Sequence, residues 1–197
     1  MAGPREKNVT GSGNYTVRTV FDVVAPLRIG VIADTHGILD DRILEVLRGC
    51  DAVAHAGDVG ADEVVDALNS LDIPVWMVGG NNDLPSKWRG HWPRLASVVE
   101  VELAGGLLVV LHGDKVLPAA QRHALLRERF AHARAVVYGH SHHLVVDDAA
   151  SPWILNPGAA GRARTFGGPS CLTVDITLDG AWSVHLHKFA LLKRTRS

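Results

Sequence analysis

The feature that most constrains this chain is a recurring unit. A short apolar run ends in glycine and a polar, metal-competent residue, and an amphipathic stretch of helical length follows. Leu27-Arg28-Ile29-Gly30-Val31-Ile32-Ala33 runs into Asp34 and reads as a buried strand. From Asp40 to Arg48, Ile43, Leu44, Val46 and Leu47 fall at helical spacing, with Asp40 or Asp41 as N-cap and Gly49 as the stop. Ala52 to His55 predicts a second strand, ending in Gly57-Asp58. Ala61 to Asn69 predicts a second helix with Val64, Val65 and Leu68 inward. Pro74 to Val78 predicts a third strand, ending in Gly79-Gly80-Asn81. Strand, helix, strand, helix, strand requires right-handed crossovers and a parallel sheet.

The second half changes character. Val98 to Leu103 and Leu107 to Leu111 flank Ala104-Gly105-Gly106, a hairpin signal. A helix is predicted from Pro118 to Phe130, then strands at Ala135 to Tyr138, Leu144 to Val146 and Trp153 to Leu155. A second hairpin turns at Asp179-Gly180, between Leu172 to Leu178 and Ala181 to Leu186. The pattern predicts two packed sheets with helices on the outer faces. Residues 1–26 read as an N-terminal extension, with Gly11-Ser12-Gly13-Asn14 flexible and Tyr15 to Val24 able to form an edge strand. Residues 27–197 read as a single domain.

Composition narrows the class. With 47% hydrophobic residues the chain can bury a full core, and a formal charge of −1 excludes a polybasic tail protein and a charge-driven disordered chain. Cys50 and Cys171 are too few for a disulfide scaffold or a four-cysteine zinc site, and they suit a reducing cytoplasm. No apolar run approaches the roughly 18 residues of a membrane span, and no apolar segment of signal-peptide type follows Met1 to Thr10. The expectation is a cytoplasmic protein without a membrane partner.

Eleven histidines in 197 residues are conspicuous, because imidazole is the commonest metal ligand. Asp34 and His36 follow the first strand, Asp58 the second and Asn81 the third. His112 follows Leu107 to Leu111, and His140 and His142 follow Ala135 to Tyr138. Strand ends in α/β sheets share a crevice. Gly37, Gly57, Gly80, Gly113 and Gly139 let the backbone turn there. Asp-x-His, and again His140-Ser141-His142, would place both side chains on one side of an extended segment. Two carboxylates, four imidazoles and one amide oxygen suffice for two divalent ions that share a carboxylate. Two metals about 3.5–4 Å apart can hold a bridging hydroxide and clamp a phosphoryl oxygen. Mixed N and O donors without thiolate suit Mn²⁺, Fe²⁺, Zn²⁺ or Ni²⁺.

Asp34-Thr35-His36-Gly37, Gly57-Asp58, Gly80-Asn81-Asn82-Asp83, His112-Gly113 and Gly139-His140-Ser141-His142 resemble, in order, the five blocks of the calcineurin-like metallophosphoesterases. Asn156-Pro157-Gly158 resembles a segment common in its small bacterial and archaeal phosphodiesterase branch. The resemblance implies an αββα sandwich of two mixed sheets flanked by helices. It implies one metal held by Asp34, His36, Asp58 and His142, and another by Asp58, Asn81, His112 and His140, with Asp58 bridging. Mn²⁺ is the expected ion. Asp83 resembles the family acid that orients a ligand or a catalytic group. Asn82 stands where many members carry a histidine beside the leaving group. An amide can donate to a phosphate oxygen but cannot deliver a proton at neutral pH.

Other residues have two readings each. Arg162 and Arg164 can reach a substrate phosphate or lie in a solvated loop. Trp88 and Trp92 can wall a cleft or anchor a loop, and the anchor is favoured. His55 is read as a core residue, and His143 as facing away from its ligand neighbours. His91, His123, His132, His185 and His187 are read as surface or strand residues, and Lys193 to Arg196 as a solvated tail. The favoured function is hydrolysis of phosphodiesters or activated phosphomonoesters, by attack of metal-bound hydroxide. The substrate is a small phosphoester or nucleotide, with nucleic acid kept open and a homodimer or homotetramer compatible with exposed strand edges. The competing class is a non-catalytic scaffold on the same fold, like a retromer subunit similar to this branch. Seven metal-competent positions favour the enzyme.

Without a proton donor at Asn82, the rate depends steeply on leaving-group pKa, since such a donor is typically worth about 10²–10⁴-fold. A series of aryl phosphodiesters of graded leaving-group pKa is expected to give a steep slope, with simple alkyl phosphates cleaved poorly. A flat profile means that another group supplies the proton or that chemistry does not limit the rate.

Overall fold

The computed structural model describes residues 5–8, 15–21, 26–88 and 95–191. The Gly11 to Asn14 stretch, His91, Trp92 and the tail from Lys193 to Arg196 lie outside the described residues. The strands are β1 (Arg5–Asn8), β2 (Thr16–Val20), β3 (Leu27–Ile32), β4 (Ala52–His55), β5 (Val75–Met77), β6 (Val98–Leu103), β7 (Gly106–Leu111), β8 (Ala135–Tyr138), β9 (Leu144–Asp147), β10 (Trp153–Pro157), β11 (Ser170–Ile176) and β12 (Trp182–Lys188). The α-helices are α1 (Asp41–Leu47), α2 (Asp62–Asn69) and α3 (Arg122–Arg129).

The strands form two mixed sheets. One has the order β12-β11-β3-β4-β5 and the other β1-β2-β6-β7-β8-β10-β9. The parallel rhythm holds through β3, β4 and β5, and both predicted hairpins are antiparallel pairs, β6 with β7 and β11 with β12. Each central strand is apolar on both faces because both are covered. From β3, Leu27, Ile29 and Val31 point into the inter-sheet core, where Leu108, Val110, Ala135, Val137 and Leu155 of the other sheet meet them. Ile32 points the other way and joins Ile43 and Leu47 of α1 and Val64 and Leu68 of α2. On the far face of the larger sheet, Leu107, Val109, Leu111, Val136 and Ile154 pack under Leu126 of α3 and Phe130. The result is an αββα arrangement. No helix among the described residues is long and apolar enough to cross a membrane.

The structure refines three local readings. The segment predicted as one helix from Pro118 begins as a 3₁₀ turn, Ala119–Gln121, before α3 starts; such tight turns are frequent at helix N-termini. Asp40 rather than Asp41 caps α1, its carboxylate accepting the Arg42 N–H at 3.0 Å. The N-terminal segment is part of the sheet. β2 runs parallel to β6 from Thr16 opposite Val98 to Val20 opposite Glu102, and β1 pairs with β2 on its outer side. Phe21 then meets Trp76 of the other sheet edge-on, with centroids 5.3 Å apart, so this segment touches both sheets.

Candidate metal centre

All seven predicted ligands come together at the C-terminal ends of the strands. Asp34 and His36 follow β3, Asp58 follows β4, Asn81 follows β5, His112 follows β7, and His140 and His142 follow β8. The mechanism of convergence is not the pleat alternation expected for Asp-x-His. Asp34, His36, Asp58, His140 and His142 all adopt left-handed backbone, with φ from +47° to +64°. Each of these five side chains is redirected by its own backbone, after the strand has ended.

The loops that carry these turns are stitched together. Asp34 N–H donates to Gly57 O at 3.0 Å, His36 N–H to Asp58 O at 2.9 Å and Gly37 N–H to Val59 O at 2.8 Å. Two glycines are required sterically. A Cβ on Gly80 would lie 2.2 Å from Asp58 Oδ1, and one on Gly57, at φ +87°, would lie 2.7 Å from His112 Nδ1. Asp83 joins two of the loops, accepting from Gly60 N and Gly80 N at 2.8 Å each. The resemblance implied that this acid orients a ligand or a catalytic group; here its partners are the backbone amides of two loops.

The centre is rich in acceptors. His36 Nε2 and His142 Nε2 lie 3.1 Å apart, and Asp34 Oδ1 is 4.0 and 3.4 Å from them. Asp58 Oδ2 is 3.7 Å from His36 Nε2, and Asp58 Oδ1 is 3.4 Å from His112 Nε2. His112 Nδ1 lies 2.9 Å from Ala56 O, which can only accept. In the neutral imidazole, His112 Nε2 therefore presents a lone pair toward Asn81 Oδ1, 3.1 Å away. His140 Nδ1 reaches the same Asn81 oxygen at 3.0 Å. Asp34 is wholly buried, and neither of its oxygens has a hydrogen-bond partner among the described residues. Two groups of donor atoms close enough to hold an ion contain Asp34 with His36 and His142, and Asp34 with Asp58 and His112. Imidazole nitrogens, carboxylates and an amide oxygen gathered this closely fit divalent cations.

Electrostatics agree with that fit. Burial, and then the neighbouring Asp58 carboxylate, push the Asp34 carboxyl up to about 8. Burial tends to raise Asp58 too, but His112 and two hydrogen bonds from Asn82 hold it below the usual carboxylate range. Burial, followed by the Arg164 charge, pushes His142 down to about 4. His36 and His140 are also lowered, chiefly by burial.

The remaining predicted residues divide. Arg164 enters the centre, its Nη2 lying 3.3 Å from His142 Nε2 and 3.4 Å from His36 Nε2. Arg162 does not; it is exposed, and its charge acts on Asp40 at the start of α1. Asn82 donates from its backbone N to Asp58 Oδ1 at 2.8 Å and from Nδ2 to Asp58 Oδ2 at 2.7 Å. One Nδ2 proton is thus engaged in holding Asp58. Trp88 is 7% exposed within the core under α1 and α2, so it anchors its loop and does not wall a cleft. His143 faces out and stacks on Phe166, with centroids 4.1 Å apart.

Two supports were not read as such from the sequence. His55 is fully buried and held neutral, pushed down to about 3 by burial. It accepts from Gly57 N at Nδ1, which leaves the Nε2 proton for Thr35 Oγ1 at 2.9 Å, and Thr35 donates onward to Val59 O at 2.9 Å. Asn156 Nδ2 reaches Gly139 O at 3.0 Å and Ser141 Oγ at 3.1 Å, fixing the loop that carries His140 and His142. The signals were present, as the middle residue of the first block and as Asn156-Pro157-Gly158, but neither indicates a partner.

Fold and donors together define a metal-binding α/β sandwich. The chain matches the calcineurin-like phosphoesterase superfamily domain over residues 27–179 and belongs to that family. It is 32% identical over 152 residues to a probable metallophosphoesterase of Methanocaldococcus jannaschii, covering 72% of each chain. It is 24% identical over 145 residues to a phosphodiesterase of the same organism, covering 67% of this chain and 83% of that one. Among solved structures it is similar to vacuolar protein sorting 29 of Cryptosporidium parvum, with a TM-score of 0.66 and 22% identity over 84% of this chain and 99% of that one. That last likeness is one of fold.

An ion held by Asp34 would need its carboxylate, and burial pushes this carboxyl up to about 8. Below that pH an ion displaces its proton, so affinity rises as pH climbs from 6 to 8. His142, at about 4, is already neutral there. Calorimetry of Mn²⁺ binding at pH 7, in buffers of different ionisation enthalpy, is expected to show release of about one proton. Asp34→Asn abolishes that release. Binding without proton release would contradict the assignment.

Proposed function

We propose that this protein is a metal-dependent phosphodiesterase acting through a dinuclear centre. The observation that carries the reading is the convergence of imidazole nitrogens, carboxylates and an amide oxygen around the buried Asp34. Membership of the family and the likeness to a named phosphodiesterase support it. Asp34, His36, Asp58 and His142 would hold one ion, and Asp58, Asn81, His112 and His140 the other. Mn²⁺ suits this mixed N and O set, as do Fe²⁺, Zn²⁺ and Ni²⁺. Bound there, such ions supply Lewis acidity toward a phosphoryl oxygen and an activated water as nucleophile.

The chain's own residues do the positioning. Asn82 fixes both oxygens of Asp58, the carboxylate shared between the two ligand sets. Asp83 holds the Gly60 and Gly80 amides in register, and Asn156 holds the loop bearing His140 and His142. Arg164 brings a planar, permanently charged guanidinium to His36 and His142, where it can receive a phosphoryl oxygen of the substrate. Asn82 carries no transferable proton at neutral pH, so good leaving groups are favoured.

The likeness to vacuolar protein sorting 29 supports a second reading, a binding scaffold on the same fold. Stoichiometric metal with no turnover across a broad panel of phosphoesters would establish it over the enzyme.

Exhaustive chelation is expected to abolish hydrolysis of bis(p-nitrophenyl) phosphate. Mn²⁺ should restore it better than Mg²⁺, which prefers an octahedral shell of oxygens. Full activity after prolonged dialysis against chelator would count against the reading. Asp58→Ala is expected to be the most damaging single ligand change. It removes a group shared by both ions, and with it several kcal/mol of charge stabilisation, or on the order of 10³-fold in rate. Metal content by emission spectroscopy should fall with activity, and Asp58→Asn, of the same shape, separates loss of charge from loss of fold. Two bound metals and near-normal turnover in Asp58→Ala would remove the bridging assignment.

A further inference from the structure

A cleft of about 290 Å³ opens directly beside the centre, with Asn81 and His112 on its lining. Lys115 and Arg129 line the same space. They come from separate elements, Lys115 from the loop that leaves β7 and Arg129 from the last turn of α3. The Arg129 guanidinium lies over the Phe130 ring, 5.0 Å from its centroid, which restricts where that charge can go. Asp114 lies on the same lining, and Glu128 shares the adjoining space with Lys115 and Arg129, so the two cations stand among carboxylates with which an anionic arm would compete. The cleft is completed by Tyr15 and Thr16, at the start of β2. Those residues lie outside the span of 27–179 that matches the family. They are held in place by the parallel pairing of β2 with β6 and by Ser97 N–H donating to Tyr15 O at 3.0 Å.

We infer that this cleft is the subsite for one ester arm of the substrate, and that the arm it takes carries an anionic group, a phosphate or a carboxylate, read by Lys115 and Arg129. The inference rests on the phosphodiesterase reading, which puts the scissile phosphate between the ligand sets. An arm of that phosphate directed past Asn81 and His112 enters the cleft. A second anionic group on it meets two cations that belong to neither ligand set. The N-terminal strand then has a functional place, as the edge that gives the cleft its shape.

The test uses p-nitrophenyl phosphodiesters that differ only in the second arm: phenyl, 4-carboxyphenyl and 4-phosphonophenyl. With the full chain loaded with Mn²⁺, kcat/KM is expected to be about five-fold higher for each anionic arm than for phenyl, the scale of one partly exposed charge pair. The preference should shrink as salt rises. Comparison of carboxylate with phosphonate shows which anion the pair of cations reads. Lys115→Glu and Arg129→Glu are each expected to abolish or invert the preference, while leaving the thermal midpoint and metal content as in the parent. Equal kcat/KM for all three arms in the parent, or a preference that survives both charge reversals, would overturn the inference. Calorimetric binding of non-hydrolysable phosphonate counterparts ranks the arms even for a protein that turns none of them over. That outcome would remove the phosphodiesterase reading, while the cleft assignment stands or falls on the binding preference alone.

Discussion

Everything at the working end of this fold depends on a surplus of hydrogen-bond acceptors over donors in a buried place. Neither Asp34 side-chain oxygen has a close partner among the described residues, His36 and His142 turn their Nε2 atoms toward each other, and His112 faces Asn81 across 3.1 Å. A buried acceptor left unpaired costs roughly 1–3 kcal/mol, and an ionised one considerably more. The polypeptide responds where it can. Asp34 is driven toward its protonated form, the histidines toward neutrality, and the Arg164 guanidinium lies against two of the imidazole nitrogens. Protonation of Asp34 and the approach of Arg164 bring positive charge to the site, while the neutral imidazoles keep a lone pair each; divalent ions would meet both at the same atoms.

The demand is maintained by backbone strain held in check. Five of the candidate ligands sit in left-handed conformations, each costing about 1–2 kcal/mol for an L-residue. Together that is comparable with the ~5–15 kcal/mol net stability of a whole domain. The centre therefore exists only because the surroundings over-determine it. The β3 and β4 loops exchange backbone hydrogen bonds in register, Asp83 and Asn156 bind loop amides and carbonyls, and the Thr35–His55 pair braces the first loop from below. Three apolar layers, one between the sheets and one under each set of helices, give these loops a rigid base.

Much of this was legible in the sequence because it is local. The strand–helix rhythm follows from apolar spacing, and Asp34, Asp58, Asn81, His112 and His140 could be placed at strand ends because each apolar run stops just before them. The geometry of Asp-x-His was misread for a related reason. Period-two alternation is a property of extended chain, and the chain is no longer extended at Asp34 and His36. Trp88 and Asn82 show the other kind of limit. A tryptophan in a loop and an asparagine in a motif have several physically sound uses. The choice between core and cleft, or between carboxylate and phosphate, depends on what the fold brings opposite them.

The sequence by itself determined the class of fold, the residues at the strand ends and the donor chemistry they offer, since patterning, spacing and side-chain type are written along the chain. Tertiary structure alone decided which of those atoms face one another. Arg164 reaches His36 across 128 positions. Asn82 is committed to Asp58, and a strand from the N-terminal segment shapes a cleft beside His112. Such contacts are made when separate crossovers close on a common edge and single residues turn left-handed. No periodicity in the sequence records either event.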